Sequence, residues 1–175
     1  MADTIVIRRV DATGAAAAVE ALADVLVDCV EGGASVSFML PLPRAKALAF
    51  WRGVAEGVAR DERVLLVAEN AAGRIVGTVQ LITSMPDNQP HRADVAKMLV
   101  HRAFRRRGIA QQLLGVLDAA ARSVDKRVLV LDTVTGGEAE RLYARSGWQR
   151  VGSVPNYALM PDGAPCGTTF FYKHL

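Results

Sequence analysis

The chain has 175 residues, of which 51% are hydrophobic and 22% are charged, a balance that predicts a folded protein with a substantial apolar core. The net charge is +3, which is too small for the wide basic face that a nucleic-acid tract needs. No apolar run reaches the roughly 18 residues of a membrane-spanning helix. The two cysteines, Cys29 and Cys166, have neither metal-ligand nor disulfide-framework spacing. We therefore expect a cytoplasmic protein without a metal, a membrane partner or a nucleic-acid partner.

The N-terminal half of the chain predicts a strand, two helices and a hairpin. Alternating β-branched residues indicate a strand over Thr4–Val10, and an Ala/Leu/Val-rich stretch indicates a helix from about Ala15 to Val30. A second helix follows Pro43, because proline suits a first helical turn. Two apolar runs on either side of the turn at residues 70–73 (NAAG) then predict a β-hairpin.

The C-terminal half predicts a strand–helix–strand unit, a short helix and a final pair of strands. Residues 93–101 (ADVAKMLVH) indicate a strand, an amphipathic helix follows, and residues 126–134 (KRVLVLDTV) indicate a buried strand. Such a unit implies a right-handed parallel crossover. A short helix ends at Gly147, and the turn at residues 160–163 separates the last two strands. The sequence thus predicts one α/β domain over residues 1–175, in the order β-α-α-β-β-β-α-β-α-β-β.

An arginine-rich junction connects the strand at 93–101 to the amphipathic helix. The first turn of a helix has unpaired backbone N–H groups and the positive end of the helix dipole, and both attract phosphate. Gly108 has no Cβ to obstruct a phosphate that approaches the backbone, and nearby arginines add charge-assisted contacts. The alternative is a solvent-exposed charge run at the start of a helix. The predicted pyrophosphate site comprises Arg105, Arg106, Arg107, Gly108, Ile109 and Ala110.

This junction contains neither the P-loop pattern GxxxxGK[ST] nor the dinucleotide pattern GxGxxG. Residues 105–110 (RRRGIA) instead resemble [Q/R]-x-x-G-x-[G/A], the acetyl-CoA pyrophosphate motif of the GNAT superfamily of N-acetyltransferases. Residues 139–148 (AERLYARSGW) resemble the family's A-x-x-L-Y-x-x-x-G-[F/W] helix, and the order of elements agrees along almost the whole chain. The segment from Leu131 to the C-terminus further resembles tabtoxin-resistance-type acetyltransferases.

The resemblance implies a GNAT fold, an α/β (α+β) arrangement with a mixed, mostly antiparallel twisted sheet of 6–7 strands flanked by about four helices. It also implies an enzyme that transfers an acetyl group from acetyl-CoA to a primary amine of a small molecule, by direct attack in a ternary complex. The pantetheine arm would lie beside Met98, Leu99 and Val100 like an added strand. In the family this strand carries a bulge and diverges from its parallel neighbour. A backbone N–H group near Leu99 would stabilise the oxyanion.

The resemblance also suggests which residues move protons. Tyr143 has the position of the family's tyrosine that points at the thioester sulfur, so we expect it to act as the general acid, or at least as a hydrogen-bond donor that stabilises the thiolate. The alternative is a tyrosine that only packs on an amphipathic helix. Asp132, at the end of a strand, is the first candidate for the general base, and Asp94 and His91 are the other candidates. Gly136 stands where many family members have an asparagine, seven residues before the tyrosine.

Residues that contact the acceptor are expected in the regions 29–39 and 154–170. Glu31 is a candidate for attracting a cationic amine, with a solvated helix end as the alternative. Phe38, Trp51 and Tyr157 are candidates for the walls of the pocket, with a place in the core of the second helix as the alternative for Trp51. Asp94 is a further candidate for acceptor binding. A CoA-binding sensor without catalytic activity is the alternative function. Homodimers are common in the family, but the sequence itself indicates no interface.

Overall fold

The computed structural model describes residues 4–175. Within these residues, seven strands form one sheet in the order β1-β2-β3-β4-β5-β7-β6, and five α-helices flank it. Neighbouring strands are antiparallel except for β4 and β5, which are parallel. The elements are β1 (Val6–Val10), α1 (Ala12–Ala17), α2 (Val19–Glu31), α3 (Arg44–Ala59), β2 (Arg63–Glu69), β3 (Ile75–Ile82), β4 (Arg92–Val100), α4 (Ile109–Arg122), β5 (Val128–Val134), α5 (Glu138–Arg145), β6 (Gln149–Leu159) and β7 (Pro165–His174). This is the mixed, mostly antiparallel sheet that the resemblance implies.

The structure adds one helix to the predicted order, because the stretch after β1 forms two consecutive helices. The Asp11 carboxylate accepts a hydrogen bond from the Gly14 backbone N–H at 2.7 Å, which starts α1 three residues before the predicted helix. Aspartate favours this position because its short side chain satisfies a free N–H group of the first turn. α1 ends at Ala17, and α2 continues from Val19.

Two apolar layers cover the two faces of the sheet. Side chains of a strand point to alternate faces, so Leu65 and Val67 of β2 pack with the layer that contains α1, α2 and α3. Leu66 of β2 packs on the opposite face with Leu113 and Leu117 of α4. Burial on both faces explains why the central strands are almost continuously apolar in sequence. None of the helices within residues 4–175 is long and apolar enough to cross a membrane.

β4 contains a bulge and then separates from β5. Leu99 pairs with Thr78 of β3, whereas Ala96 pairs with Gln80, so two residues of β4 lie opposite one residue of β3. Lys97, inside the bulge, has a φ of 52°. β4 pairs with β5 only along residues 92–94. Both features that the resemblance implies for this strand are therefore present, and together they open the sheet between its two parallel strands.

The C-terminal hairpin completes the sheet beside this opening. β7 lies between β5 and β6, and it pairs with the edge of β5 that faces away from β4. The predicted turn at residues 160–163 joins the two strands, and the Gly163 N–H donates to the Met160 carbonyl at 2.9 Å. β6 is the edge strand, and most of its side chains are exposed.

The packing of α4 predicts that alanine substitutions at two adjacent residues will have different effects on stability. Leu117 is fully buried, whereas Val116 is 36% exposed on the other side of the helix. Leu117→Ala should lower the free energy of unfolding by about 2–5 kcal/mol, because it leaves a cavity. Val116→Ala, the matched control, should change it by less than about 1 kcal/mol. Urea unfolding followed by circular dichroism measures both, and equal losses would contradict the described orientation of α4.

Candidate active site

Two cavities open where β4 and β5 separate. The large cleft, about 720 Å³, lies between the loop after α2, the second half of β4, the start of α4, and α5. The small pocket, about 340 Å³, lies between the loop after α2, the end of β5 and the β6–β7 hairpin. The residues that line both are Ser35, Ser37, Asp132, Thr133 and Val134. The C-terminal end of β5 is therefore a wall common to the two cavities.

The loop before α4 presents free backbone N–H groups to the large cleft. Arg106 and Gly108 have φ values of 62° and 73°, and α4 begins at the next residue, Ile109. The backbone N–H groups of Arg106 and of residues 108–111 have no hydrogen-bond acceptor within residues 4–175. Left-handed residues before a helix turn successive N–H groups towards one concave surface, which suits an anion. A Cβ at Gly108 would meet no atom within 4 Å, so this residue borders open space.

The side chains of the predicted pyrophosphate segment do not all face the cleft. Arg105 and Arg106 line it, as does Ala110. The guanidinium of Arg107 instead lies over the ring of Phe104, 5.1 Å from its centroid. The side chain of Ile109 is only 2% exposed and packs in the core. At Ile109 only the backbone is therefore available to a ligand.

The edge of β4 is open along the cleft. Met98, Leu99 and Val100 line the large cleft beyond the point where β4 stops pairing with β5. The Val100 carbonyl accepts hydrogen bonds from Nε of Arg105 at 3.1 Å and from Sγ of Cys29 at 3.4 Å. These two side chains already occupy the Val100 carbonyl. An extended ligand can pair with the remaining main-chain groups of such a strand edge.

A carboxylate on α2 holds the loop that leads to the pyrophosphate segment. Asp28 accepts hydrogen bonds from the backbone N–H of Arg102 at 2.7 Å and from its Nε at 3.0 Å. Burial alone would raise the pKa of Asp28, but these hydrogen bonds outweigh it and keep that pKa below its ordinary value. The two residues are 74 positions apart, so no local sequence pattern indicated the contact.

Tyr143 and Asp132 both line the large cleft. The ring of Tyr143 is 4% exposed, packs against Trp148 and Phe171, and lines the large cleft. Burial, helped by the charge of Asp132, raises the pKa of the Tyr143 phenol well above its ordinary value. Asp132 lies in the shared wall and accepts a hydrogen bond from the Thr168 hydroxyl at 3.0 Å. The ring of Tyr143 packs in the core while the residue borders the cleft, so the two expectations for it are compatible.

The other candidate residues separate into two groups. Phe38 and Tyr157 both line the small pocket. Trp51 lines neither cavity, because its side chain is buried in the core with α3. Glu31 and Asp94 line neither cavity, and each forms an ion pair with an arginine. His91 is exposed and also lines neither cavity. Within residues 4–175, no cluster of three His, Cys, Asp or Glu side chains could hold a metal ion.

Lys97 is a cleft residue that the sequence analysis did not identify. Its Nζ donates a hydrogen bond to the Ser37 hydroxyl at 3.2 Å and lies 5.5 Å from the centroid of the Phe50 ring. Burial lowers the pKa of Lys97, although the charge of Asp132 opposes the change. The helical and strand patterns of the sequence contain no signal for the bulge that directs this side chain into the cleft.

The family model for the acetyltransferase (GNAT) domain matches residues 60–150, slightly more than half of the chain. The matched segment begins just after α3 and ends in the first residues of β6. It therefore contains β4 with its bulge, the loop before α4, the shared wall at the end of β5, and Tyr143.

Solved structures share this fold over almost their whole length. An N-acetyltransferase from Staphylococcus aureus Mu50 is 19% identical, with a TM-score of 0.78 and 98% of each chain covered. yncA from Salmonella typhimurium, a candidate acetyltransferase solved with its cofactor acetyl-CoA, is 21% identical, with a TM-score of 0.78 and coverage of 98% of this chain and 94% of that one. A ribosomal-protein-alanine N-acetyltransferase from Brucella melitensis is 25% identical, with a TM-score of 0.77 and coverage of 97% and 99%. The chain belongs to the GNAT superfamily and is an acetyl-CoA-dependent acyltransferase.

Proposed function

We propose that this enzyme transfers an acetyl group from acetyl-CoA to a primary amine of a small molecule, by direct attack in a ternary complex. The observation that carries the proposal is the wall that the large cleft and the small pocket share at residues 132–134. Two compartments that meet at one wall can hold two substrates at the same time, as direct transfer requires. The small pocket, about 340 Å³, suits an acceptor of limited size.

Two parts of the large cleft would bind two parts of one acetyl-CoA molecule. The free N–H groups of Arg106 and residues 108–111 would bind the pyrophosphate, and the charges of Arg105 and Arg106 would add to this attraction. The pantetheine arm would pair with the open edge of β4 at residues 98–100, which directs the thioester towards the shared wall. A backbone N–H group near Leu99 would donate to the developing oxyanion.

Asp132 and Tyr143 would handle the two protons of the reaction. The acceptor nitrogen forms a bond to the acetyl carbon, the carbon–sulfur bond breaks, and the nitrogen loses a proton. Asp132 would accept that proton, directly or through a water molecule, since it lies in the wall common to both cavities. Asp94 and His91 border neither cavity, which favours Asp132 over them. Tyr143 borders the large cleft, where its protonated phenol would donate a hydrogen bond to the departing thiolate and supply the proton that the thiolate gains. The raised pKa keeps this phenol protonated and makes it a weaker acid, so stabilisation of the thiolate by the hydrogen bond is part of the role.

The assignment of the pyrophosphate site predicts that valine at two different glycine positions will affect acetyl-CoA binding differently. Gly108 and Gly73 both have positive φ values, 73° and 74°, and a Cβ at either would meet no atom within 4 Å. Valine at either position should therefore cost a similar amount of stability, about 1–2 kcal/mol. Acetyl-CoA should raise the melting temperature of the wild type and of Gly73→Val. It should not raise that of Gly108→Val, because the new side chain obstructs the N–H groups.

Differential scanning fluorimetry with millimolar acetyl-CoA measures these shifts. A full ligand-induced shift in Gly108→Val would place the pyrophosphate elsewhere.

The role of Tyr143 predicts a loss of rate without a loss of cosubstrate binding. Tyr143→Phe should lower kcat by about 100-fold, because it removes one hydroxyl and leaves the packed ring in place. The Kd of acetyl-CoA, measured by calorimetry, should change by less than about twofold. Tyr172→Phe is the control, since the Tyr172 hydroxyl bonds to Gln149 and lines neither cavity. Unchanged kcat with weaker binding would reject the general-acid role.

A screen of small primary amines for release of CoA tests the function as a whole. The wild type should release CoA with at least one amine in a concentration-dependent manner, and Tyr143→Phe should release it far more slowly. Acetyl-CoA binding without release by any amine would reject the proposed acceptor class and would favour a CoA-binding sensor.

A further inference from the structure

The ammonium group of Lys97 lies at the opening between the two cavities. Lys97 lines the large cleft, and its hydrogen-bond partner Ser37 lines both cavities. The bulge in β4 sets this position, because a φ of 52° at Lys97 turns the side chain out of the regular alternation of the strand. The ring of Phe50, on α3, is also close to the ammonium, with its centroid 5.5 Å from Nζ, a distance at which a cation–π attraction contributes.

Lys97 has no ionic partner in the described part of the chain. No carboxylate oxygen lies within 4.0 Å of its Nζ, and Asp132 acts on it only at longer range. Arg63 adds a like charge nearby, and burial lowers the pKa of the ammonium. Of its three N–H donors, one is directed at Ser37. A partly buried cation usually has a partner that offsets its lost hydration.

The three other lysines are in different situations. Nζ of Lys126 donates to the carbonyls of Thr83 and Pro90, at 3.0 and 2.7 Å. Nζ of Lys173 forms an ion pair with Asp118 at 2.6 Å. Lys46 is exposed to solvent. Lys97 is therefore the lysine that faces a cavity without a counter-charge among residues 4–175.

We propose that Lys97 binds a carboxylate of the acceptor, so that the molecule acetylated here carries a carboxylate close to its amine. The inference rests on the proposed function, since it names the acceptor class of the same site. Asp132 and Lys97 face the same side of the sheet. Leu129 and Leu131 pack against the layer of α4 and α5, so Asp132 points to the opposite face, where Lys97 contacts α3. The carboxylate of Asp132 and the ammonium of Lys97 at one opening match a molecule that carries both an amine and a carboxylate.

Acetyl-CoA does not supply the missing negative charge. Its anionic groups are the diphosphate, which the proposed function places on the N–H groups of Arg106 and residues 108–111, and the ribose 3′-phosphate, which lies beyond the diphosphate at the nucleotide end of the molecule. The part of the cosubstrate that would lie beside β4 is the uncharged pantetheine arm. The counter-ion of Lys97 must therefore come from the second substrate.

Matched pairs of acceptors test the proposal by kinetics. Each pair consists of an amino acid and its carboxamide, which share the side chain and differ in the negative charge. The carboxylate also raises the pKa of the neighbouring amine, so kcat/KM is expressed per concentration of unprotonated amine. The wild type should favour the acids in kcat/KM. Lys97→Met should lower kcat/KM for the acids by about tenfold or more, mainly through KM, and should hardly change it for the carboxamides. Lys97→Arg should keep part of the preference. The control Arg52→Met removes an exposed cation of α3 that lines neither cavity, and it should keep all of the preference.

A binding measurement decides the question without turnover. The lysine CεH₂ resonances of the CoA-bound enzyme are titrated with N-acetylalanine, a product-like acid, and with N-acetylalaninamide. The Lys97 resonance should shift saturably with the acid alone, and the shift should be absent in Lys97→Met. Unchanged Lys97 signals with the acid, or equal use of acids and carboxamides by the wild type, would overturn the proposal.

Two further outcomes distinguish failure of the Lys97 proposal from failure of the proposed function. Addition of one acetyl group to Lys97 by acetyl-CoA alone, seen by mass spectrometry, would overturn the proposal, because the lysine would then be an acceptor itself. Failure of every amine to release CoA would reject the proposed function, whereas the NMR titration would still decide whether Lys97 binds a carboxylate.

Discussion

The separation of β4 from β5 is the constraint on which the site depends. Parallel strands normally continue to pair along their length, but here pairing stops after Asp94. The bulge at Lys97 turns β4 away while its other edge still pairs with β3. The sheet therefore keeps a continuous core on both faces and exposes a strand edge in its middle. The large cleft, the shared wall and the approach to Tyr143 all lie at this opening.

Main-chain groups and side chains have different tasks around the opening. The proposed contacts to acetyl-CoA use backbone N–H groups at residues 106–111 and the edge of β4, which depend on backbone conformation more than on residue type. The contacts proposed for the acceptor use the side chains of Asp132 and Lys97, which depend strongly on residue type. The fold itself is shared with solved structures at about 20% identity.

Local patterns in the sequence predicted the parts of the structure that local physics determines. The turn at residues 70–73, the crossover into β5 and the helix that carries Tyr143 each follow from a few neighbouring residues, and the structure contains all three. The bond between Asp28 and Arg102 joins distant segments, and the bulge at Lys97 arises from pairing with β3. Such features depend on the assembled sheet, so no local pattern of residues indicates them, and the bulge was expected only from the family resemblance. The additional helix α1 was missed for another reason, because six residues are too few for a clear apolar period.

The central claim is that the backbone N–H groups at the start of α4 bind the diphosphate of the cosubstrate. An amide-resolved ¹H–¹⁵N NMR titration with acetyl-CoA tests it directly. The largest saturable shifts should fall on Arg106 and residues 108–111, with smaller ones along residues 98–100. A titration with pantetheine, which lacks the diphosphate, should shift the second group and leave the first unchanged. Saturable binding of acetyl-CoA with no change at residues 106–111 would contradict the account.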